Sequence, residues 1–241
     1  MTWSIIIHDK ATGRIGIAVA TRFFAVGARV PHVEPGKGAV CTQALTNPLY
    51  GPRGRQLLRD GVGAADVVRL LTAPDEGREH RQLHVLGPDG RFAARTGADC
   101  IPWCGHWIGD EFSVAGNMLA GPGVVGETVR VLRERADLPL PQRLIAAMKA
   151  GEAAGGDMRG KQSAALVIWG NEEYSELDLR VDDHVEPLPE LERLEAVSRE
   201  HWTKFRAFLA TRESPAGVFD RAKIMAAVAA SDQGSPTTER R

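Results

Sequence analysis

MTWSIIIHDKATGRIGIAVATRFFAVG, residues 1–27, decides how the rest of the chain is read. Trp3, Ile5, Ile6 and Ile7 make one apolar run, residues 9–13 read as a tight turn, and Ile15, Ile17 and Val19 make a second run. This is a β-hairpin whose first strand begins at the chain terminus. Terminal strands usually fray. This one is apolar with few polar interruptions, the pattern of a strand buried in the middle of a sheet. Thr2 stands directly behind Met1. Loss of Met1 leaves Thr2 with a free α-amine beside its own hydroxyl. That amine has an ordinary pKa of about 7.7–8.0, so it can take the hydroxyl proton at neutral pH. Nucleophile and base then sit on one residue. Ser4 lies two residues further along the same strand face. It reads either as a group orienting Thr2 or as a small residue in a crowded sheet.

The 241 residues suffice for one large domain or one domain with an appendage. Thirty basic residues face thirty-one acidic ones. That balance gives no general reason to bind nucleic acid or an anionic membrane. No stretch is apolar over the length of a membrane span, and residues 1–27 lack the pattern of a secretory signal. The expectation is a soluble cytoplasmic protein. Three cysteines, Cys41, Cys100 and Cys104, are not a disulfide framework. Cys100, Cys104 and His106 offer three zinc ligands at most, with no second pair to close a tetrahedral site. Buried free thiols are the expectation, with no metal and no cofactor.

Working outward from the hairpin, residues 25–35 read as a loop or short strand broken by Pro31 and Pro35, and residues 38–44 as a third strand. Residues 46–54 (TNPLYGPRG) are a Pro/Gly loop carrying Asn47, Tyr50 and Arg53. Residues 55–71 have helical spacing, broken near Gly61 and Gly63. Residues 82–86 and 91–95 flank a Pro-Asp-Gly turn as a second hairpin. Residues 96–121 read as irregular and as a candidate site wall. Two amphipathic helices follow, over 124–135 and 139–149. A glycine-rich turn at 151–160 then leads into strands at 163–169 and 175–181. A long charged helix begins at Pro187 and runs to about Thr211, with a short helix over 219–230 and a polar tail, expected to be disordered, over 231–241. Strands, helices, strands, helices, joined by hairpins, predict an α+β fold with antiparallel sheets. The layering expected is a four-layer αββα sandwich over 1–186, with a helical C-terminal extension over 187–230 packed on it. An apolar stripe on the late helix suits core or a dimer contact, hence the expectation of a homo-oligomer.

Several side chains have chemistry a plain scaffold does not require. Arg53 has the donor fork for a substrate carboxylate, or ties down its own loop. Gln43 and Thr42, ending the third strand, are candidates to point into the cleft that would hold such a substrate. Asn117, beside Gly116, suits an oxyanion donor or a left-handed turn. Asp157 and Arg159 brace a turn or serve a site, and the adjacent glycines allow both. Asp182, Asp183 and His184 offer hard metal ligands, but neighbours on an extended chain point to opposite sides.

The segments SIIIHDKATGRIGIAVATRFFAVG, TQALTNPLYGPRG, GNMLAGP, AGEAAGGDMRGKQSAAL and DLRVDDH, taken in this order, resemble the family catalogued as domain of unknown function 1028, over residues 2–195. The resemblance implies the four-layer fold of the Ntn-hydrolase superfamily, with chemistry by analogy alone. In proteasome-type members an Asp and a Ser near a glycine-rich turn support the terminal Thr, and Asp157 and Ser163 are the matching residues. Thr21-Arg22 is retained. Ala20 or Val19 occupies the position that is acidic there, and Arg29 is the cation nearest the missing lysine.

The expectation is therefore an N-terminal-threonine amidohydrolase acting on a small peptide-like or amino-acid-derived amide. Thr2 is the nucleophile, Asn117, Asp157 and Ser163 support it, and Arg22, Gln43, Asn47, Tyr50 and Arg53 bind substrate. The alternative is a non-catalytic module holding a peptide-like ligand in the same fold.

Overall fold

The computed structural model describes residues 2–230. The tail at 231–241 lies outside the described residues. Ten strands form two antiparallel sheets, accompanied by seven α-helices among the described residues. β1 (Thr2–Asp9) and β2 (Arg14–Thr21) are the expected hairpin. β1 is an inner strand, paired with β2 on one side and with β8 (Phe112–Asn117) on the other. The six-stranded sheet is completed by β7 (Gly105–Ile108), β9 (Ser163–Trp169) and β10 (Ser175–Val181), in the order β10-β9-β2-β1-β8-β7. The four-stranded sheet runs β3-β4-β5-β6, from Pro31–Glu34, Gly38–Ala44, Arg81–Leu86 and Phe92–Thr96.

Alternation along β1 divides its side chains between two layers. Ile6 joins Ile17, Val19 and Val167 of its own sheet with Val33, Cys41 and Leu86 of the other in one apolar cluster, so the two sheets face each other. Trp3 lies on the opposite face, beside Gly151 and Gly156. Gly151 belongs to α4 (Leu140–Ala153), which follows α3 (Gly123–Glu134). On the other sheet, α1 (Tyr50–Arg59) and α2 (Ala64–Thr72) bury Tyr50, Leu58, Val67 and Leu71 against Val40, Leu83 and Val85. The packing order is thus helices, sheet, sheet, helices. A strand buried on both faces has no polar side to show, which is why β1 reads as a near-continuous apolar run.

One segment differs from the expectation. Residues 96–121 are not irregular throughout: they supply β7 and β8, and β8 is the direct neighbour of β1. FSVAGN is buried along its whole length, and its small residues and terminal Asn hide the strand pattern. The late helix also differs. It breaks into α5 (Pro187–Glu200) and α6 (Trp202–Phe205), with α7 (Arg221–Ala230) after them. The chain divides into two compact units, Met1–Glu192 and Arg193–Arg241, with the boundary inside α5. No described helix is long and apolar enough to cross a membrane.

Candidate functional site

Thr2 begins β1 in register with Asn117 at the end of β8. Its side chain shares a face with Ser4 and Ile6, toward the second sheet, and the residue is 7% exposed. The Thr2 hydroxyl lies 3.2 Å from Thr21 Oγ1, at the end of β2. The Thr2 carbonyl accepts from Gln43 Nε2 at 3.3 Å and from Asn117 Nδ2 at 3.4 Å.

Beneath Thr2 the space between the sheets is polar. Its bonding directions follow from one residue. Gln82 Nε2 lies against the carbonyls of Gly116 at 2.8 Å and Gly105 at 3.1 Å, so it must donate. Gln82 Oε1 therefore accepts, from Gln43 Nε2 at 2.8 Å and Asn117 Nδ2 at 2.9 Å. Gln43 Oε1 then accepts from the Ser4 hydroxyl at 2.6 Å. With its proton used there, Ser4 Oγ accepts from His84 Nε2 at 2.9 Å, and His84 Nδ1 accepts from Ser113 Oγ at 2.7 Å. His84 is neutral in this arrangement. Burial first, and the nearby His106 second, pull its pKa from 6.5 down to about 3. Thr96 Oγ1 accepts from Gln82 Nε2 at 2.9 Å and lies 2.9 Å from His106 Nδ1.

Besides Thr96 and Ser113, sequence reasoning missed Gln82 and His84 in this layer. They stand two apart on β5, alternating with buried Leu83 and Val85. Two polar side chains on one face of an otherwise apolar strand were the available signal.

Asp157 and Ser163 organise the ends of neighbouring strands. Asp157 Oδ2 accepts from the Arg22 backbone N–H at 2.7 Å, and Oδ1 from the Arg159 N–H at 2.9 Å. Arg159 Nη2 adds an ion pair at 3.2 Å. The Arg22 guanidinium donates to the Arg159 carbonyl at 2.6 Å, and the rest of that exposed side chain faces solvent. Ser163 Oγ donates to the Phe23 carbonyl at 2.5 Å and accepts from the Val26 N–H at 3.2 Å. These bonds fasten the segment that follows Thr21, whose hydroxyl meets that of Thr2. Leu119 bridges to Asp157, so the chain beyond Asn117 is tied to the same turn.

Asn47 and Tyr50 converge on Asp75, at 3.0 and 2.7 Å from its Oδ2. Those two bonds, with help from Arg81 at 3.1 Å, hold the Asp75 carboxyl well below the usual range. Burial and the Asp75 charge push the Tyr50 phenol up. Arg81 also donates to the Leu45 carbonyl, so this cluster steadies the chain leaving β4. Arg53 is exposed on α1.

A cleft of about 290 Å³ opens beside this end of β1. Asn117 lines it, with Ala44, Leu45, Ile101 and Met118. Ala44 and Met118 both adopt left-handed backbone conformations, φ 70° and 53°. Strain of this kind costs on the order of 1–3 kcal/mol per residue, and it gathers at binding and catalytic sites.

No group of three His, Cys, Asp or Glu residues among the described residues is arranged to hold a metal ion. Asp182 pairs with Arg180, Asp183 accepts from Gln162, and His184 Nδ1 accepts from the Glu186 N–H. The Cys100 and Cys104 thiols donate to the carbonyls of Arg81 and Cys100, and burial pushes both up.

A crystal structure of a protein from Silicibacter pomeroyi is similar to this chain at 31% identity with a TM-score of 0.83, covering 91% of this chain and 99% of its own. That protein carries the same family assignment. Anbu, the ancestral β-subunit from Yersinia bercovieri, aligns over 87% of this chain and 98% of its own, at 13% identity and a TM-score of 0.40. At that score it does not bear on the site. No curated protein matches the chain. The model for the family of unknown function DUF1028 matches residues 2–191, beginning at Thr2, and the chain belongs to that family.

Proposed function

We propose that the protein is an N-terminal-threonine amidohydrolase, active once Met1 is removed, on a small peptide-like or amino-acid-derived amide. The observation that carries this reading is the setting of Thr2. It opens an inner strand, its hydroxyl is 3.2 Å from Thr21 Oγ1, and Asn117, its partner across the sheet, lines a cleft. In this reading the freed α-amine takes the Oγ1 proton and Oγ1 attacks the substrate carbonyl carbon. Collapse of the tetrahedral adduct breaks the C–N bond. The ammonium returns its proton to the leaving amine, leaving an ester on Thr2. Water, deprotonated by the same amine, hydrolyses that ester.

Asn117 serves here by holding the Thr2 carbonyl. Both its amide hydrogens are used, on Thr2 O and Gln82 Oε1. Gln43 acts on the same carbonyl. Asp157 and Ser163 act through the strand ends they fasten, and the exposed guanidinium of Arg22 meets an anionic group of the substrate. Thr2→Ser should retain turnover of small acyl amides and Thr2→Ala should lose it at least about a hundredfold, the scale of a lost nucleophile or its base. Equal turnover by wild type and Thr2→Ala removes the reading.

One observation favours a binding module instead. The described hydrogen bonds around Thr2 and Ser4 run to neutral amides, hydroxyls and a neutral imidazole. Ligand binding that is indifferent to a retained Met1, with no turnover, is the outcome that selects it.

A further inference from the structure

Strand ends from both sheets meet at Thr2. Thr21, at the end of β2, lies 3.2 Å from the Thr2 hydroxyl. Gln43 and Asn117, at the ends of β4 and β8, hold the Thr2 carbonyl at 3.3 and 3.4 Å. The residues just past these contacts therefore frame the start of β1, and they differ in character from one of its flanks to the other. Past Thr21 comes Arg22, an exposed cation. Past Gln43 and Asn117 come Ala44, Leu45 and Met118, which line the cleft of about 290 Å³ together with Ile101.

On the β8 flank the surface is apolar. Leu45 and Ile101 are 63% and 55% exposed, and the Ile101 carbonyl accepts from the Met118 N–H at 2.9 Å, which fixes that wall to the end of β8. Large apolar side chains gathered in water around one concavity favour an apolar occupant. The charged pair at the cleft, His80 Nε2 and Asp99 Oδ2 at 3.7 Å, is matched within itself. On the β2 flank the charges do not all match. Arg159 pairs with Asp157, and Lys161 pairs with Glu152 and Glu186. The Arg22 guanidinium has no carboxylate partner among the described residues. Its Nη1 donates to the Arg159 carbonyl at 2.6 Å and lies 3.0 Å from where a Cβ on Gly160 would stand, so the group is held against backbone with donors to spare.

We infer that the substrate is an amide with an apolar chain on one side of the scissile bond and a carboxylate on the other, the pattern of an N-acyl amino acid. The chain lies against Leu45, Ile101 and Met118, and the carboxylate meets the donor fork of Arg22. β2 and β8 flank β1, so their ends stand about 10 Å apart, two strand spacings, with Thr2 between them. An amide of this class spans that separation with its carbonyl near the middle. The inference rests on the proposed reading of Thr2 for the position of the scissile bond, and it narrows that reading from small amides in general to those with these two ends.

The test uses full-length Thr2→Ala protein, so that no turnover contributes. Three probes are titrated calorimetrically: N-(4-methylpentanoyl)glycine, its methyl ester, and N-acetylglycine. The free acid should bind roughly fivefold more tightly than the ester, the upper range for an exposed ion pair. It should bind about tenfold more tightly than N-acetylglycine, which lacks most of the apolar chain. Arg22→Gln should erase the first preference and keep the second. Leu45→Asn and Ile101→Asn, changes at exposed rim residues, should reduce the second and keep the first. Each variant carries its own control, since the preference it keeps shows that it has folded. Equal binding of acid and ester, equal binding of the long and short acyl chains, or an acid preference that survives Arg22→Gln overturns the inference. The Thr2 reading stands or falls separately, on wild-type turnover.

Discussion

His84 sits between the hydroxyls of Ser4 and Ser113 with both ring nitrogens bonded, and burial draws its pKa from 6.5 down to about 3. Between those values the unfolded chain carries a proton on this residue and the folded chain does not. Acidification through the window therefore favours unfolding, by at most about 1.4 kcal/mol per pH unit. Well above pH 6.5 the residue adds no pH dependence, and well below about 3 the loss levels off. His8, His32 and His106 are held low in the same direction, mainly by burial, so the difference between two proteins isolates the effect. From pH 6.5 to 4.5, wild type should lose about 2–3 kcal/mol more stability than His84→Gln. Urea unfolding at the two pH values measures this, and identical losses contradict it. A polar residue with this consequence was visible at position 84, but its partners were not. Ser4 lies 80 residues away and Gln43 in a different strand, and nothing in one chain's periodicity pairs them.

At the scale of elements, β2 and α4 meet at Gly16. A Cβ there would lie 2.8 Å from Leu144 Cδ1 and 2.9 Å from Ile7 Cγ2, closer than side chains tolerate. Gly16→Val should destabilise by about 1–3 kcal/mol through overpacking. Gly126, inside α3, has open space around its would-be Cβ, and Gly126→Ala should stabilise by about 0.5–1 kcal/mol. Denaturant midpoints for the pair test the contact of helix and sheet. Equal effects from the two substitutions argue against it. The opening hairpin, β4, β5 and β9 were legible because their apolar runs are local and end in recognisable turns. β8 was not. Gly116 and Asn117 resemble turn residues, and only the pairing of Gly116 with Trp3 and Asn117 with Thr2 reveals a strand. The same blindness applies to the candidate site. Thr2, Gln43 and Asn117 were singled out and do meet. Asn47 and Tyr50 were singled out with them, and they bond to Asp75, a residue that no pattern in the Pro/Gly loop pointed to.

Across the whole molecule, the first unit places its polar layer at one end of the space between two sheets and its apolar cluster along the rest. Burying that many amides is tolerable because each donor direction is used in turn. Such an arrangement holds the start of β1 rigidly, which a nucleophile at the chain terminus requires. The central claim is that this terminus is Thr2 and that its hydroxyl reacts. Intact mass of the protein purified from its native host, before and after exposure to a β-lactone, tests it most directly. The account predicts loss of Met1 and a single adduct on wild type, with no adduct on Thr2→Ala. A retained Met1 with no adduct contradicts it and leaves the cleft as a binding site.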